Sequence, residues 1–187
     1  MARTLLGLFW FLTVPMLGSA APSSDIQFED ATAASGLTKA VVGLYNHAVA
    51  WGDFDNDGLP DLFLGSFADK GYDRKLGQTA PVGNQLFRQK APGKFERFGC
   101  PPVEIEARCS GAVFVDLNNN GHLDLYVTSN KLEKTSPREP ADSPRVQGNR
   151  LYRNDGGGAF VDVSAESGVC LPTLYRGRDI GVLDYDN

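Results

Sequence analysis

The chain has 187 residues, of which 42% are hydrophobic and 22% are charged, and its formal net charge is −5. This acidic balance argues against nucleic acid as a partner. Beyond the N-terminal segment, no apolar run is long enough to predict a membrane span.

The N-terminus has the three parts of a secretory signal peptide. Arg3 supplies a positive charge, an apolar stretch runs from Leu5 to Leu17, and small residues follow at positions 18–21. We predict that residues 1–20 form a signal peptide and that the mature protein is secreted, to an extracellular or periplasmic location. A retained N-terminal anchor is the alternative.

The start of the mature chain carries a phrase that returns near the C-terminus. Residues 28–37 read Phe-Glu-Asp-Ala-Thr-Ala-Ala-Ser-Gly-Leu, and residues 160–169 read Phe-Val-Asp-Val-Ser-Ala-Glu-Ser-Gly-Val. The later copy follows a Gly-rich hairpin signal, which predicts a strand. By this match, we expect residues 26–37 to form a strand of the same kind.

A ten-residue acidic pattern begins at Asp53, returns at Asp116 and starts again at Asp184, so that the copies are 63 and 68 residues apart. Oxygen-bearing side chains occupy positions 1, 3, 5 and 9 of the pattern, and glycine occupies position 6. Calcium takes six to eight oxygen ligands, and glycine permits the sharp turn that folds a loop around the ion. The pattern therefore predicts calcium as a cofactor bound by repeated loops.

The loop differs from an EF-hand, which needs a glutamate at position 12, because that position holds Leu64 and Val127. Short apolar runs on both sides predict strand, loop, strand. An Asx-rich turn that binds no ion is the alternative. Four aspartates in the first copy argue against it, whereas Asn118 and Asn120 give it more weight in the second.

Each loop is followed by a strand phrase, Asn-x-Leu-aromatic-Arg, that begins at Asn84 and Asn149, and a phenylalanine stands eleven residues later at Phe95 and Phe160. Each unit thus contains four short strands. A period of 60-odd residues with four strands predicts an all-β fold of propeller blades, each of four antiparallel strands, in an incomplete ring. We expect blades at 47–100 and 109–170 and the start of a truncated third repeat at 179–187. A two-sheet β-sandwich is the alternative.

The chain contains three cysteines, Cys100, Cys109 and Cys170. The first two flank the crossing between the predicted blades, so a disulfide between them is chemically reasonable outside the cell. Three free, partly buried thiols are an equal alternative. The long polar connections at 67–83 and 131–148 are candidates either for a partner surface or for solvated loops.

We find no catalytic pattern. The two histidines are His47 and His122, and no Gly-x-Ser-x-Gly nucleophile elbow is present. A closed calcium loop orders backbone and does not polarise a substrate. We therefore expect a protein that is not an enzyme.

With these loops and phrases, the chain resembles the FG-GAP/VCBS repeat proteins, which include integrin α-subunit propellers, and is most similar to their cartilage acidic protein (ASPIC-type) group. The resemblance covers residues 26–187 and departs from the family phrase at Arg97, where aspartate is expected. It implies calcium loops between the first two strands of each blade. The implied ligands are Asp53, Asp55, Asp57, the Leu59 carbonyl and Asp61 in the first loop, Asp116, Asn118, Asn120, the His122 carbonyl and Asp124 in the second, and Asp184 and Asp186 in the third.

The resemblance also implies a function. A secreted calcium-binding propeller of this kind is expected to act as a scaffold for binding or adhesion, with an extracellular protein or a glycan as its partner. The alternative is the non-catalytic propeller portion of a larger secreted enzyme, such as a polysaccharide lyase or a phospholipase.

Overall fold

The computed structural model describes residues 26–67, 82–130, 148–170 and 177–183. The predicted signal peptide at 1–20, most of both polar connections, and the third-loop residues Asp184 and Asp186 lie outside these ranges. The described chain contains one short helix and eight strands: α1 (Thr32–Ser35), β1 (Asn46–Gly52), β2 (Asp61–Ser66), β3 (Gln85–Ala91), β4 (Lys94–Phe98), β5 (Cys109–Val115), β6 (Asp124–Ser129), β7 (Arg150–Asn154) and β8 (Phe160–Asp162).

The strands form two antiparallel sheets of four strands each, in the orders β1-β2-β3-β4 and β5-β6-β7-β8. Every strand pairs with its neighbour along the chain, so each sheet is a meander. The predicted all-β class is confirmed, and two open four-stranded sheets fit an incomplete propeller. Among the described residues, no helix has the length and apolar character needed to cross a membrane.

Burial along the strands follows their positions in the sheet. In the edge strand β1, Ala48 and Ala50 are buried while Val49 and Trp51 are exposed, the period-2 pattern of a strand with one covered face. All six residues of β2 are buried, because this strand has neighbours on both sides and packing on both faces. The two acidic loops join β1 to β2 and β5 to β6.

The main hydrophobic core lies between the two sheets. It combines Ala48, Ala50, Phe63 and Leu86 of the first sheet with Cys109, Phe114, Leu125, Val127, Tyr152 and Phe160 of the second. The sheets approach so closely at Gly65 that a Cβ atom there would lie 2.7 Å from the Cβ of Cys109. Only glycine fits at such a distance, so Gly65 fixes how tightly the sheets pack.

The two sheets stack in the same sense, with the front of one against the back of the next. Phe114, Leu125 and Tyr152 of the second sheet face the core between the sheets. Their counterparts by repeat position, Trp51, Leu62 and Phe87, lie on the opposite face of the first sheet, where Leu62 and Phe87 contact residues of the segment 37–44. Adjacent blades of a propeller are related in this way, whereas the sheets of a sandwich turn equivalent faces toward each other.

Residues 177 and 178 lie against the far face of the second sheet. A Cβ atom at Gly177 would lie 2.8 Å from the Cβ of Thr128, and the Ser110 hydroxyl donates a hydrogen bond to the Gly177 carbonyl. Thr128 is the counterpart of Gly65, and Gly177 is the counterpart of Cys109 by the loop spacing. The Gly177–Thr128 contact therefore joins the same pair of repeat positions as the Cys109–Gly65 contact between the two sheets.

The prediction of a strand at 26–37 is wrong. Residues 26–31 have no regular secondary structure, Thr32–Ser35 form α1, and Phe28 is 95% exposed. A strand needs a hydrogen-bonded neighbour, and β8, which carries the same phrase, has one in β7.

The turn that follows the phrase does repeat. Asp30 accepts a hydrogen bond from the Thr32 N–H, as Asp162 does from the Ser164 N–H. Both turns end in a glycine with positive φ, at Gly36 (87°) and Gly168 (72°).

Cys100, Cys109 and Cys170 are free thiols in this structure, and the first two are buried. Of the two alternatives for Cys100 and Cys109, the structure therefore has unpaired thiols and no disulfide. The Cys109 thiol instead donates a hydrogen bond to the Asn84 side-chain oxygen, at 3.1 Å, within the core between the sheets. Burial raises its pKa to about 11.

Candidate metal centre

The two acidic loops have the same internal hydrogen bonds. The Asp53 carboxylate accepts the N–H groups of Asp57 and Gly58, at 3.0 and 2.8 Å. The Asp116 carboxylate, its counterpart, accepts those of Asn120 and Gly121, at 3.2 and 2.9 Å. Each first residue thus holds the turn of its own loop in a fixed shape.

The other predicted side chains act in the same way. Asp55 and Asn118 at position 3 accept the N–H of the residue at position 5. Asp57 and Asn120 at position 5 accept the N–H groups of Leu59 and His122, the residues whose carbonyl groups are the implied ligands.

The turn depends on left-handed backbone at two positions of each loop. The predicted glycines Gly58 and Gly121 have φ of 88° and 83°, while Asn56 and Asn119 at position 4 have φ of 60° and 57°. Asparagine tolerates this region better than most non-glycine residues. The sequence analysis predicted the sharp turn from the glycine at position 6 alone. The asparagine at position 4, present in both copies, also indicates a left-handed backbone position.

The last carboxylate of each loop is buried and anchors the loop to the sheet. Asp61 accepts the Phe54 N–H at 3.1 Å and the Gln89 N–H at 2.8 Å. Burial is the main cause that raises the Asp61 pKa to about 6; the charges of Asp55 and Asp57 add to it, and the two hydrogen bonds oppose it. Asp61 therefore carries its negative charge in the fold at a cost, which a nearby cation would reduce.

In the first loop, three carboxylates converge. Asp53, Asp55 and Asp61 each place one oxygen atom within 4.8 Å of the other two, an arrangement that could hold a metal ion. Hard carboxylate oxygens suit Ca²⁺, Mg²⁺ or Mn²⁺ and do not suit soft metals. Asp57, the fourth predicted carboxylate, is not part of this group.

The second loop reproduces this frame with less charge. Asp124 accepts the Leu117 N–H at 3.1 Å and the Asn154 N–H at 2.8 Å, as Asp61 does in its own loop. Asn118 replaces the carboxylate of Asp55, so that amide oxygen takes the place of charged oxygen. The two loops share the same hydrogen-bond geometry, but the second loop attracts a cation less strongly than the first.

The two loops also contact each other. The Asn56 side-chain amide donates a hydrogen bond to the Gly121 carbonyl, at 2.9 Å, and lies 3.0 Å from Nδ1 of His122. Beneath them, the Asn154 amide donates hydrogen bonds to the carbonyl groups of Phe54 and Leu123. The position of one loop therefore determines the position of the other.

An arginine that the sequence analysis did not assign to the site lies beside the first loop. Arg88 Nε is 2.5 Å from Asp55 Oδ2, in an ion pair that is not an aligned hydrogen bond. The guanidinium carbon also lies 4.6 Å from the centre of the Phe98 ring. Arg88 and Arg153 occupy the same place in the two Asn-x-Leu-aromatic-Arg phrases, and this repetition was the signal that could have identified it.

Comparison with known proteins identifies a distant relative. No protein-family model matches the chain. The sequence is 27% identical, over 154 residues, to the T-cell immunomodulatory protein homolog of Plasmodium falciparum (isolate 3D7). The match covers 78% of this chain but 20% of that protein, so the chain spans about a fifth of the length of the relative.

Proposed function

We propose that this chain is part of a secreted FG-GAP/VCBS-type β-propeller that calcium stabilises and that acts as a non-catalytic scaffold for an extracellular protein or glycan. One observation carries the proposal: two loops at the same place in successive sheets share one hydrogen-bond frame, and the first loop brings three carboxylates together. In an Asx-rich turn that binds no ion, the carboxylates of Asp53, Asp55 and Asp61 would repel one another at these distances.

Calcium is the metal that best fits the donors. The first loop offers carboxylate oxygens, with the Leu59 carbonyl as a further implied ligand, and calcium accepts six to eight such oxygen ligands in varied geometry. Magnesium demands near-octahedral geometry and gives up its water reluctantly, so it is the weaker fit. Asp53, Asp55 and Asp61 would hold the ion in the first loop, and Asp116 and Asp124 are the carboxylates that would hold one in the second.

Calcium would act on the junction between blades. Asn56 of the first loop bonds to Gly121 of the second, so an ion that orders one loop also orders this contact. A binding scaffold benefits because the loops of neighbouring blades then keep fixed relative positions. This role requires no reacting group near the ion.

The closer family assignment belongs to the same proposal. The phrases at 28–37, 84–88, 149–153 and 160–169 support the ASPIC-type group, and the signal-like residues 1–20 support secretion. The name of the Plasmodium relative refers to immunomodulation. That wording is compatible with a binding role, which we propose here for the present chain.

The test is thermal unfolding of the protein in 10 mM calcium and in chelator. Calcium modules outside cells have dissociation constants on the order of 10⁻⁴–10⁻³ M. At 10 mM calcium, binding to the folded state alone contributes about 2.7 kcal/mol for a dissociation constant of about 10⁻⁴ M and about 1.4 kcal/mol for one of about 10⁻³ M. We expect a rise in melting temperature of several degrees with calcium and a smaller rise with magnesium.

The matched control replaces Asp53 and Asp116 together with alanine. This double variant lacks the first carboxylate of each loop, so its melting temperature should no longer depend on calcium. A wild-type protein that melts at the same temperature in calcium and in chelator would show that the loops are metal-free turns.

A further inference from the structure

We infer that Arg88 is a built-in counter-ion of the first loop, which competes with the metal for Asp55 and lowers the calcium affinity of that loop. The inference rests on the proposed function and extends it to a residue outside the ligand set. Its basis is the contrast between the two repeats, which place the same arginine in different surroundings.

In the first repeat, Arg88 is confined between a carboxylate and a ring. Its Nε lies 2.5 Å from Asp55 Oδ2, and the side chain of Asp55 is 8% exposed. The guanidinium lies over Phe98, whose ring packs 5.2 Å from that of Phe54 at the junction of the sheets. The guanidinium stays charged at any pH that the fold tolerates. Asp55 therefore has a permanent positive neighbour.

In the second repeat, the equivalent arginine points elsewhere. Arg153 pairs with Asp155 through two contacts, Nε to Oδ1 at 2.7 Å and Nη2 to Oδ2 at 3.0 Å, and both side chains are substantially exposed. The residue at the position of Asp155 in the first repeat is Lys90, which would repel Arg88. Asn118 stands at the position of Asp55, so the second loop has no carboxylate there for an arginine to neutralise.

In the first loop, but not in the second, a bound metal and the arginine would both interact with the same carboxylate, that of Asp55. A calcium ion that binds Asp55 must either displace the guanidinium or accept a positive charge next to its own. Either way, binding is weaker than the carboxylates of the loop would give by themselves. The arginine in turn offsets the repulsion among the carboxylates when no metal is bound, so it stabilises the metal-free loop.

The experiment is a calorimetric calcium titration of the full chain with the second loop silenced by Asp116→Ala. Arg88→Met keeps a long apolar side chain over Phe98 and removes the charge. We expect the calcium affinity of the first loop to rise on the order of tenfold, within the usual range of coupling between two ligands. Arg88→Lys, which keeps the positive charge, should change the affinity much less.

The matched control is Arg153→Met with the first loop silenced by Asp53→Ala. It removes the arginine at the same repeat position and should leave the calcium affinity of the second loop unchanged. Circular dichroism confirms that each variant is folded. Calcium binding that is equal in Arg88→Met and its parent, or that rises equally in Arg88→Lys, overturns the inference alone. A wild-type chain that binds no calcium overturns both the inference and the proposed function.

Discussion

Replacing Phe54 with alanine should destabilise the protein by about 3–5 kcal/mol, the usual cost of removing a buried aromatic ring. Phe54 follows the first residue of the first acidic loop, yet its side chain has no exposed surface. The centre of its ring lies 5.2 Å from that of Phe98, 6.1 Å from that of Phe114 and 5.7 Å from that of Phe160. The ring therefore joins the first sheet to the second.

The magnitude follows from what surrounds the ring. Each aromatic pair contributes about 0.5–1.5 kcal/mol beyond the burial of apolar area. Three such neighbours place the expected cost in the upper half of the range unless the cavity collapses. A loss of about 4 kcal/mol is a large part of the stability of a domain, which is about 5–15 kcal/mol.

Urea unfolding followed by fluorescence measures the change. With a denaturant dependence of about 2 kcal/mol per molar, the midpoint should fall by about 2 M. Leu117→Ala is the matched control, because Leu117 has the same loop position in the second repeat but is 52% exposed. Its expected cost is about 1 kcal/mol or less.

The difference between the stability losses of the two variants tests whether Phe54 packs between the sheets. Equal costs for Phe54→Ala and Leu117→Ala would show that the first loop does not insert its side chain between the sheets. A cost below about 1 kcal/mol for Phe54→Ala would contradict the stacked arrangement itself. Phe54→Leu, which copies the second repeat, should fall between the wild type and the alanine variant.

Three further experiments test the core. Tyr152→Phe should raise the free energy of unfolding, measured in urea, by up to about 1 kcal/mol. The buried Tyr152 hydroxyl has no hydrogen-bond partner among the described residues, and Phe87 occupies the same position in the first sheet. A clear loss of stability in the variant would show that the hydroxyl does have a partner. Cys109, with its pKa raised to about 11 by burial, should resist alkylation at pH 8 until the protein unfolds. Because the unfolded thiol ionises near pH 8.5, stability should also fall as the pH rises from about 8.5 toward 11, and a Cys109→Ala variant should lose that part of the pH dependence. Rapid alkylation of Cys109 in the native protein would refute the buried assignment.

The sequence predicted the strands and the loops because their signals are local. An Asp-Asn-Gly pattern with apolar runs on either side shows where β1 ends and β2 begins, whatever the rest of the chain does. The expectation for residues 26–37 failed for the opposite reason. Phe28 and Phe160 begin nearly the same local phrase, yet only the segment at Phe160 forms a strand. The difference is the presence of a partner strand, which the local sequence does not indicate.

The candidate site was predictable in its donors but not in its surroundings. Asp53, Asp55 and Asp61 converge because they lie within one short loop that leads back into strand β2. The contact between Arg88 and Asp55 depends on the strand β3 lying beside the loop and on Phe98 holding the guanidinium. Those conditions arise from sheet order and packing, which a list of loop residues does not contain.

The stacking of the sheets in the same sense bears on how the gene for such a chain can change. Phe54 meets the Phe114–Phe160 pair across the junction, and the first sheet carries the corresponding Trp51–Phe95 pair, whose ring centres are 5.7 Å apart. A tandem duplication or deletion of one whole unit of 63–68 residues would join surfaces that occupy equivalent repeat positions. Each close contact needs a glycine on one side, Gly65 against Cys109 and Gly177 against Thr128, so a duplicated second unit that sets Thr128 against Cys109 would need a substitution there. A breakpoint that left half a unit would instead require changes along the whole junction.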